Sequence, residues 1–359
     1  MVYESLEEWE KKAEHLKRQI QVCCGIFPDL PKTPLRPVIT RRQVYRKVVI
    51  ENLYFESLPG VFVAGNLYYP KEHRDPMPAI LNAHGHWERD RFERTELVDI
   101  PAGCMNQAEN GMVAFSYDMV GRGESTQFPH GFRSKELDSW GISLLGLQLH
   151  NSIRCLDFLE SLQFVDSSRI GCAGASGGAT QTFLLTAVDD RVKAAAPANM
   201  VSFHKQGGCE CENAPGLRTG TNNVEFTALA APRPLMVTGC TGDWTCNLLT
   251  REYPALRSIY ELYGEPSKVA CYYCDAPHNY RKDVREHICA WFVEQFFGKE
   301  SREYLPEQEF SVKEDALRVY PEGNLPEYAI SLSEFVEFMK KTKKDLYLAA
   351  KRNSEYFLK

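Results

Sequence analysis

The sequence contains no apolar run approaching the roughly 18–20 residues that a membrane-spanning helix needs. It has no excess of positive charge. Lys and Arg total 42 against 48 Asp and Glu, and the net charge of -6 makes the surface a poor partner for a phosphate backbone, so nucleic acid is not an expected ligand. The opening residues, Met-Val-Tyr-Glu-Ser-Leu-Glu-Glu-Trp-Glu, lack the basic start and apolar stretch of a secretion signal, and a cytoplasmic protein is expected. There is no internal repeat and no low-complexity tract. The Gly121-Arg-Gly123 turn lacks the third Gly and the Lys-Ser/Thr of a nucleotide loop, so no cofactor is expected.

Cysteine is plentiful, with 12 residues, but without a secretion signal these read as reduced, mostly buried thiols rather than disulfides. Cys271-Tyr-Tyr-Cys274 has zinc-like spacing. It lies in a strand-like run that would point the two thiols to opposite faces, and no second pair follows. His84 and His86, two residues apart and without acidic neighbours at ligand spacing, do not read as a metal pair either. No metal site is expected.

Along the chain, Leu6, Trp9, Ala13, Leu16 and Ile20 recur at helical spacing and predict an amphipathic helix over about 3–25. Pro28, Pro31, Pro34 and Pro37 then mark an extended linker. Val44 to Tyr69 is rich in β-branched and aromatic residues, and Pro59-Gly60 divides it into a two-stranded antiparallel hairpin. Short apolar runs follow at 79–83, 112–117, 169–173, 192–196, 234–238 and 268–273. They alternate with helical patterns near 99–110, 138–163, 177–188, 247–264 and 281–297. Buried strands alternating with helices imply an α/β fold with a mostly parallel sheet. The expected organisation is an N-terminal helix and linker (1–43), a catalytic domain (44–298) with a lid-like insertion at 199–229, and a C-terminal extension (299–359) ending in a helix over about 331–357. The two terminal amphipathic helices fit two uses, capping their own domain or forming a homo-oligomer.

The strongest local signal is Gly174-Ala-Ser176-Gly-Gly178, preceded by a strand and followed by a helical run. A tight strand-to-helix turn pushes a serine into the cleft, and crowding there demands small neighbours. Amides at the helix N-terminus then face any developing oxyanion. Serine needs a base and an orienting acid. His278, between the last strand-like run and the last long helix of the alternating region, is the candidate base. Asp243, just past the run at 234–238, is the candidate acid, preferred over Asp275, which is only three residues from His278. The turn His84-Gly85-His86-Trp87 supplies the amide of His86 or Trp87 to pair with that of Gly177 in an oxyanion hole. Asp118 and Arg122 read as holding a tight turn. Trp87, Trp244, Glu210 and Arg218 are the candidate substrate contacts.

In this order, His84-Gly-His-Trp87, Asp118-Met-Val-Gly-Arg-Gly-Glu-Ser125, Gly174-Ala-Ser-Gly-Gly178, Gly242-Asp243 and His278 resemble the α/β-hydrolase superfamily over about residues 44–298. Within it, Gln206-Gly-Gly-Cys-Glu-Cys-Glu-Asn-Ala-Pro-Gly-Leu-Arg218 and Ala230-Ala-Pro-Arg-Pro-Leu235 are similar to the acetyl xylan esterase-like group of bacterial carbohydrate esterases. The resemblance implies an α/β-hydrolase fold with helices on both faces of the sheet. It also implies a serine ester hydrolase that deacetylates sugars or related small esters. An amidase or peptidase on the same fold, or a binding protein on a hydrolase scaffold, are the alternatives.

Overall fold

The computed structural model describes residues 3–73, 75–298, 303–320 and 322–352. In chain order the strands are β1 (Val38–Tyr45), β2 (Val48–Leu58), β3 (Val61–Pro70), β4 (Met77–Ala83), β5 (Val113–Tyr117), β6 (Val165–Ala175), β7 (Val192–Ala198), β8 (Leu235–Gly242) and β9 (Val269–Pro277). The helices are α1 (Leu6–Cys23), α2 (Ile100–Glu109), α3 (Lys135–Ser139), α4 (Leu144–Ser161), α5 (Gly177–Val188), α6 (Asn223–Ala228), α7 (Tyr253–Leu262), α8 (Lys282–Phe297) and α9 (Leu332–Arg352).

All nine strands form one sheet in the order β1-β2-β3-β5-β4-β6-β7-β8-β9. Pairings from β1 to β3 and of β3 with β5 are antiparallel, and those from β5 through β9 are parallel. The parallel strands are apolar on both faces because both faces are covered. Leu81, Phe115 and Cys172 join the layer of α1, α4, α5, α6 and α7, whereas their neighbours Ile80, Ala114 and Ala173 join the layer of α2 and α8.

Three details depart from the sequence reading. The hairpin is a three-stranded antiparallel unit, because β1 emerges directly from the proline-rich segment. Its Val-Ile-Thr-Arg-Arg-Gln pattern is that of an exposed edge, which hides the strand from hydrophobic periodicity. The helix expected over 138–163 is two helices, broken at Gly141 (φ +61°) and restarted by Ser143, whose side chain accepts from Gly146 N. The expected helix at 247–264 begins with an irregular turn over Leu248–Glu252 and becomes α-helical only at Tyr253, next to Pro254.

Both terminal helices pack on their own chain. Trp9, Leu16 and Ile20 of α1 are buried in the larger core, and Phe335 and Met339 of α9 are buried near Phe128. The final helix is described to Arg352, and its expected end at 357 lies outside the described residues. No described helix is long and apolar enough to cross a membrane.

The tightest constraint in the sheet lies between β4, β6 and α5. A Cβ on Gly178 would sit 2.0 Å from the Ala83 carbonyl oxygen, and one on Gly174 would sit 2.5 Å from the Gly178 carbonyl. These neighbours are backbone and cannot swing aside. Gly178→Ala is expected to cost at least about 2 kcal/mol, the range of overpacked cores, read as a lowered urea midpoint. An unchanged midpoint would contradict this packing.

Candidate active site

The six parallel strands, β4 to β9, end at the same edge of the sheet, where clefts of open α/β folds gather their reactive groups. β6 runs into Ser176, whose φ of 58° and ψ of -123° are strained for a non-glycine residue. The turn holds because Ser176 N donates to Ala198 O at 3.0 Å, while α5 behind it is buried along nearly its whole length. Ser176 itself is buried at the N-terminus of α5, where the following amides have no helical partners.

β8 delivers Asp243 and β9 delivers His278. Gly242 precedes Asp243 because a side chain there would meet the Ala276 carbonyl at 2.7 Å. His278 Nδ1 lies 2.6 Å from Asp243 Oδ2, with the carboxylate side chain 2% exposed. Asp243 Oδ1 accepts from both the amide and the hydroxyl of Thr245. Burial pushes the Asp243 carboxyl up, but the hydrogen bonds from His278 and Thr245 outweigh it and hold the carboxyl below the usual range. With Nδ1–H committed to Asp243, His278 Nε2 carries the lone pair, and it is buried without a protein partner. Asp275 is exposed and accepts instead from Thr241 Oγ1 at 2.6 Å.

Two indoles enclose the imidazole. Trp87 stacks on it at 5.5 Å and Trp244 lies at 4.4 Å between ring centroids. Both indole N–H groups are buried without partners. The His-Gly turn links serine and histidine: a Cβ on Gly85 would sit 2.9 Å from Ser176 Cβ and 3.0 Å from the Trp87 ring. Arg122 holds this turn, donating to Trp87 O and to Asp90 Oδ1, each at 2.6 Å. Asp118 also holds its own turn, accepting from Glu124 N, and like Arg122 it reaches the loop after β4, pairing with buried Arg91. His84 is fully buried between Gly85 O and Met119 N, and burial lowers its pKa to about 4, so it is a neutral structural residue.

The 199–229 segment packs over this edge. Glu210 Oε2 accepts from Phe132 N and Arg133 N, joining the insertion to the 120–137 connection. Arg218 is held inside the insertion by Glu212 O, Asn213 Oδ1 and Asn223 Oδ1. Both side chains thus bond to the insertion and its neighbouring loop, and Arg218 keeps a buried Nη2 without a partner. Sequence reasoning missed Asn199, whose amide donates to Asn279 O at 2.6 Å and whose Oδ1 accepts from Thr238, tying together the ends of three strands next to His278.

It also missed a group of ligand-type side chains. His86, His130, Cys209 and Cys211 place their ligand atoms within 4.8 Å of one another. They come from three loops, so no compact spacing announces them. The Cys-x-Cys of Cys209-Glu-Cys211 was the available signal. Cys271 and Cys274 do face opposite layers of the sheet.

A sequence model of the acetyl xylan esterase family (AXE1) matches residues 29–204. YtaP of Bacillus subtilis (strain 168), named as a hydrolase, is 25% identical over 237 residues, covering 61% of this chain and 77% of its own. Among solved structures, the methylesterase BT1017 superposes with a TM-score of 0.77 at 28% identity, covering 96% of this chain and 78% of its own. A glucuronoyl esterase from Solibacter usitatus shares the fold, with a TM-score of 0.58 at 15% identity over 81% of this chain and 94% of its own.

The Asp243–His278 pair has a pH signature. A carboxyl with a lowered folded pKa contributes stability that is full above its ordinary value of 3.8 and is lost as pH falls through the folded value. Asp243→Asn is expected to cost about 1–3 kcal/mol at pH 7, and the gap to wild type should shrink below pH 3.8 in urea titrations. A gap independent of pH would contradict the pairing.

Proposed function

We propose that this chain, a carboxylic ester hydrolase similar to the acetyl xylan esterase family, acts through a Ser176-His278-Asp243 triad and an acyl-enzyme, deacetylating acetylated sugars or related small esters. The observation that carries this reading is the Asp243–His278 hydrogen bond of 2.6 Å, which leaves a buried, unpartnered Nε2 as the base.

Ser176 Oγ attacks the ester carbonyl as His278 Nε2 takes its proton. Asp243 fixes the tautomer and stabilises the imidazolium. The sandwich of Trp87 and Trp244 adds cation–π attraction to that cation, worth about 1–2 kcal/mol. The amides of Gly177 and of His86 or Trp87 hold the tetrahedral oxyanion, and each such donor is worth about 3–4 kcal/mol of barrier. The alcohol leaves with the proton from Nε2, and water then releases the acid by the same steps. Trp87 and Trp244 wall the substrate, with their unpartnered N–H groups available to its oxygens. Glu210 and Arg218 hold the roof over it.

A second reading keeps the triad and reverses the ester, with a methyl ester of a carboxylated sugar as substrate and methanol leaving. It is favoured by the name of the 28% identical methylesterase and by Lys205, whose ammonium lies 5.4 Å from the centre of the Trp244 ring and could face an acidic sugar. A panel of acetylated sugars and sugar-acid methyl esters separates the two. Higher kcat/KM on the methyl esters, lost in Lys205→Met, would replace the first reading.

Either reading requires Ser176→Ala to lose at least about a thousandfold in kcat on a small activated acetate, while Asp275→Asn stays near wild type. Equal turnover by wild type and Ser176→Ala would move the nucleophile elsewhere. Turnover of acyl amides alone would point to an amidase, and ligand binding without turnover to a binding protein.

A further inference from the structure

The side chains of His86, His130, Cys209 and Cys211 form a cluster that plays no part in the proposed chemistry. His86 Nε2 lies 3.1 Å from His130 Nε2 and 3.0 Å from Cys211 Sγ, and His130 Nε2 lies 3.2 Å from Cys209 Sγ. A tetrahedral zinc ion at about 2.1 Å from nitrogen and 2.3 Å from sulfur has ligand-to-ligand edges of roughly 3.3–3.8 Å. The observed contacts fall a few tenths of an ångström inside that figure, a gap that small side-chain movements would open.

The surroundings prepare these atoms as ligands. His130 Nδ1 lies 2.6 Å from Val120 O and donates to it, so Nε2 presents its lone pair to the cluster. That lone pair faces both the His86 ring nitrogen and the Cys209 sulfur. The backbone carrying the two thiols is fixed from behind. Glu212 Oε2 accepts from Gly208 N and Cys209 N, Asn213 Nδ2 donates to Cys209 O, and Arg218 Nη1 donates to Glu212 O. Nitrogen and sulfur donors in equal number select zinc over calcium or magnesium.

We propose that His86, His130, Cys209 and Cys211 bind one zinc ion as a closed, four-ligand structural site. Binding releases two thiol protons to solvent. Two thiolates and two neutral imidazoles then balance the dication, which suits a partly buried position. Four protein ligands fill the tetrahedron and leave no position for a reacting water, so the ion is a staple and not the source of the nucleophile. It joins three loops: the turn after β4, the 120–137 connection and the 199–229 insertion. The ring of His86 also packs on the start of α5, since a Cβ on Gly177 would meet His86 Cε1 at 2.7 Å. The staple thus fixes the turn that offers the second oxyanion amide to Ser176. That last role rests on the serine-esterase reading, whereas the metal site itself does not.

The test uses the full chain without an affinity tag. Elemental analysis after gel filtration should give about one zinc per chain. Protein stripped with a chelator and titrated with Co2+ should show thiolate-to-cobalt charge transfer and the intense visible bands of a tetrahedral site, saturating at one equivalent. The double variant Cys209→Ser/Cys211→Ser should lose both signals, and Cys271→Ser/Cys274→Ser should keep them. If the first variant fails to fold, the wild-type cobalt spectrum decides alone. Absence of one-to-one thiolate-ligated cobalt in the stripped wild type, a Cys209–Cys211 disulfide in the untreated protein, or retained binding in the folded Cys209/Cys211 variant would each overturn the site. These readouts do not depend on ester turnover, so failure of the metal site and failure of the Ser176 assignment are separately visible.

Discussion

Everything at the cleft depends on how closely α5 approaches the end of β4. The Ala83 carbonyl lies where a side chain on Gly178 would be, and Gly174 faces the Gly178 carbonyl in the same way. Only glycine at both positions lets the chain reverse from strand to helix in the space of Ser176. The serine takes the cost as backbone strain, with φ at 58°. In return its side chain is lifted out of the sheet, and the first amides of a buried helix surround it.

The rest of the site is assembled by loops that hold one another. Arg122, from the loop after β5, donates to the carbonyl of Trp87 in the turn after β4. Glu210, from the insertion after β7, accepts from two amides of the 120–137 connection. His86 and His130 meet Cys209 and Cys211 across the same junction. Buried side chains such as Phe128 and Leu217 anchor these segments to the core, and the polar contacts and the proposed ion join the segments to one another. Asn199 and Asn279 do the same for the strand ends beneath His278.

Much of this was legible in the sequence because it follows local rules. Alternating apolar runs and helical patterns located β4 to β9 and the main helices, and the order of Ser176, Asp243 and His278 behind strand ends marked the candidate site. β1 escaped because an exposed edge strand carries Arg41 and Arg42 where a core strand would carry apolar residues. The break at Gly141 escaped because apolar spacing continues across it. The four-residue cluster escaped for a different reason. Its members are brought together by tertiary folding alone, with His86 44 positions from His130 and 125 from Cys211. Glu210 and Arg218 were visible as charged residues in a polar insertion, but only the structure reveals the loop groups they bond to.

The most direct test of the central claim, that the strained turn presents Ser176 as the nucleophile, is covalent trapping. The full chain would be treated with a fluorophosphonate and the modified peptide identified by mass spectrometry. The account requires one adduct per chain, on Ser176, and none in protein whose His278 has been replaced by alanine. An adduct on another serine, or none in a folded protein that still hydrolyses esters, would contradict it.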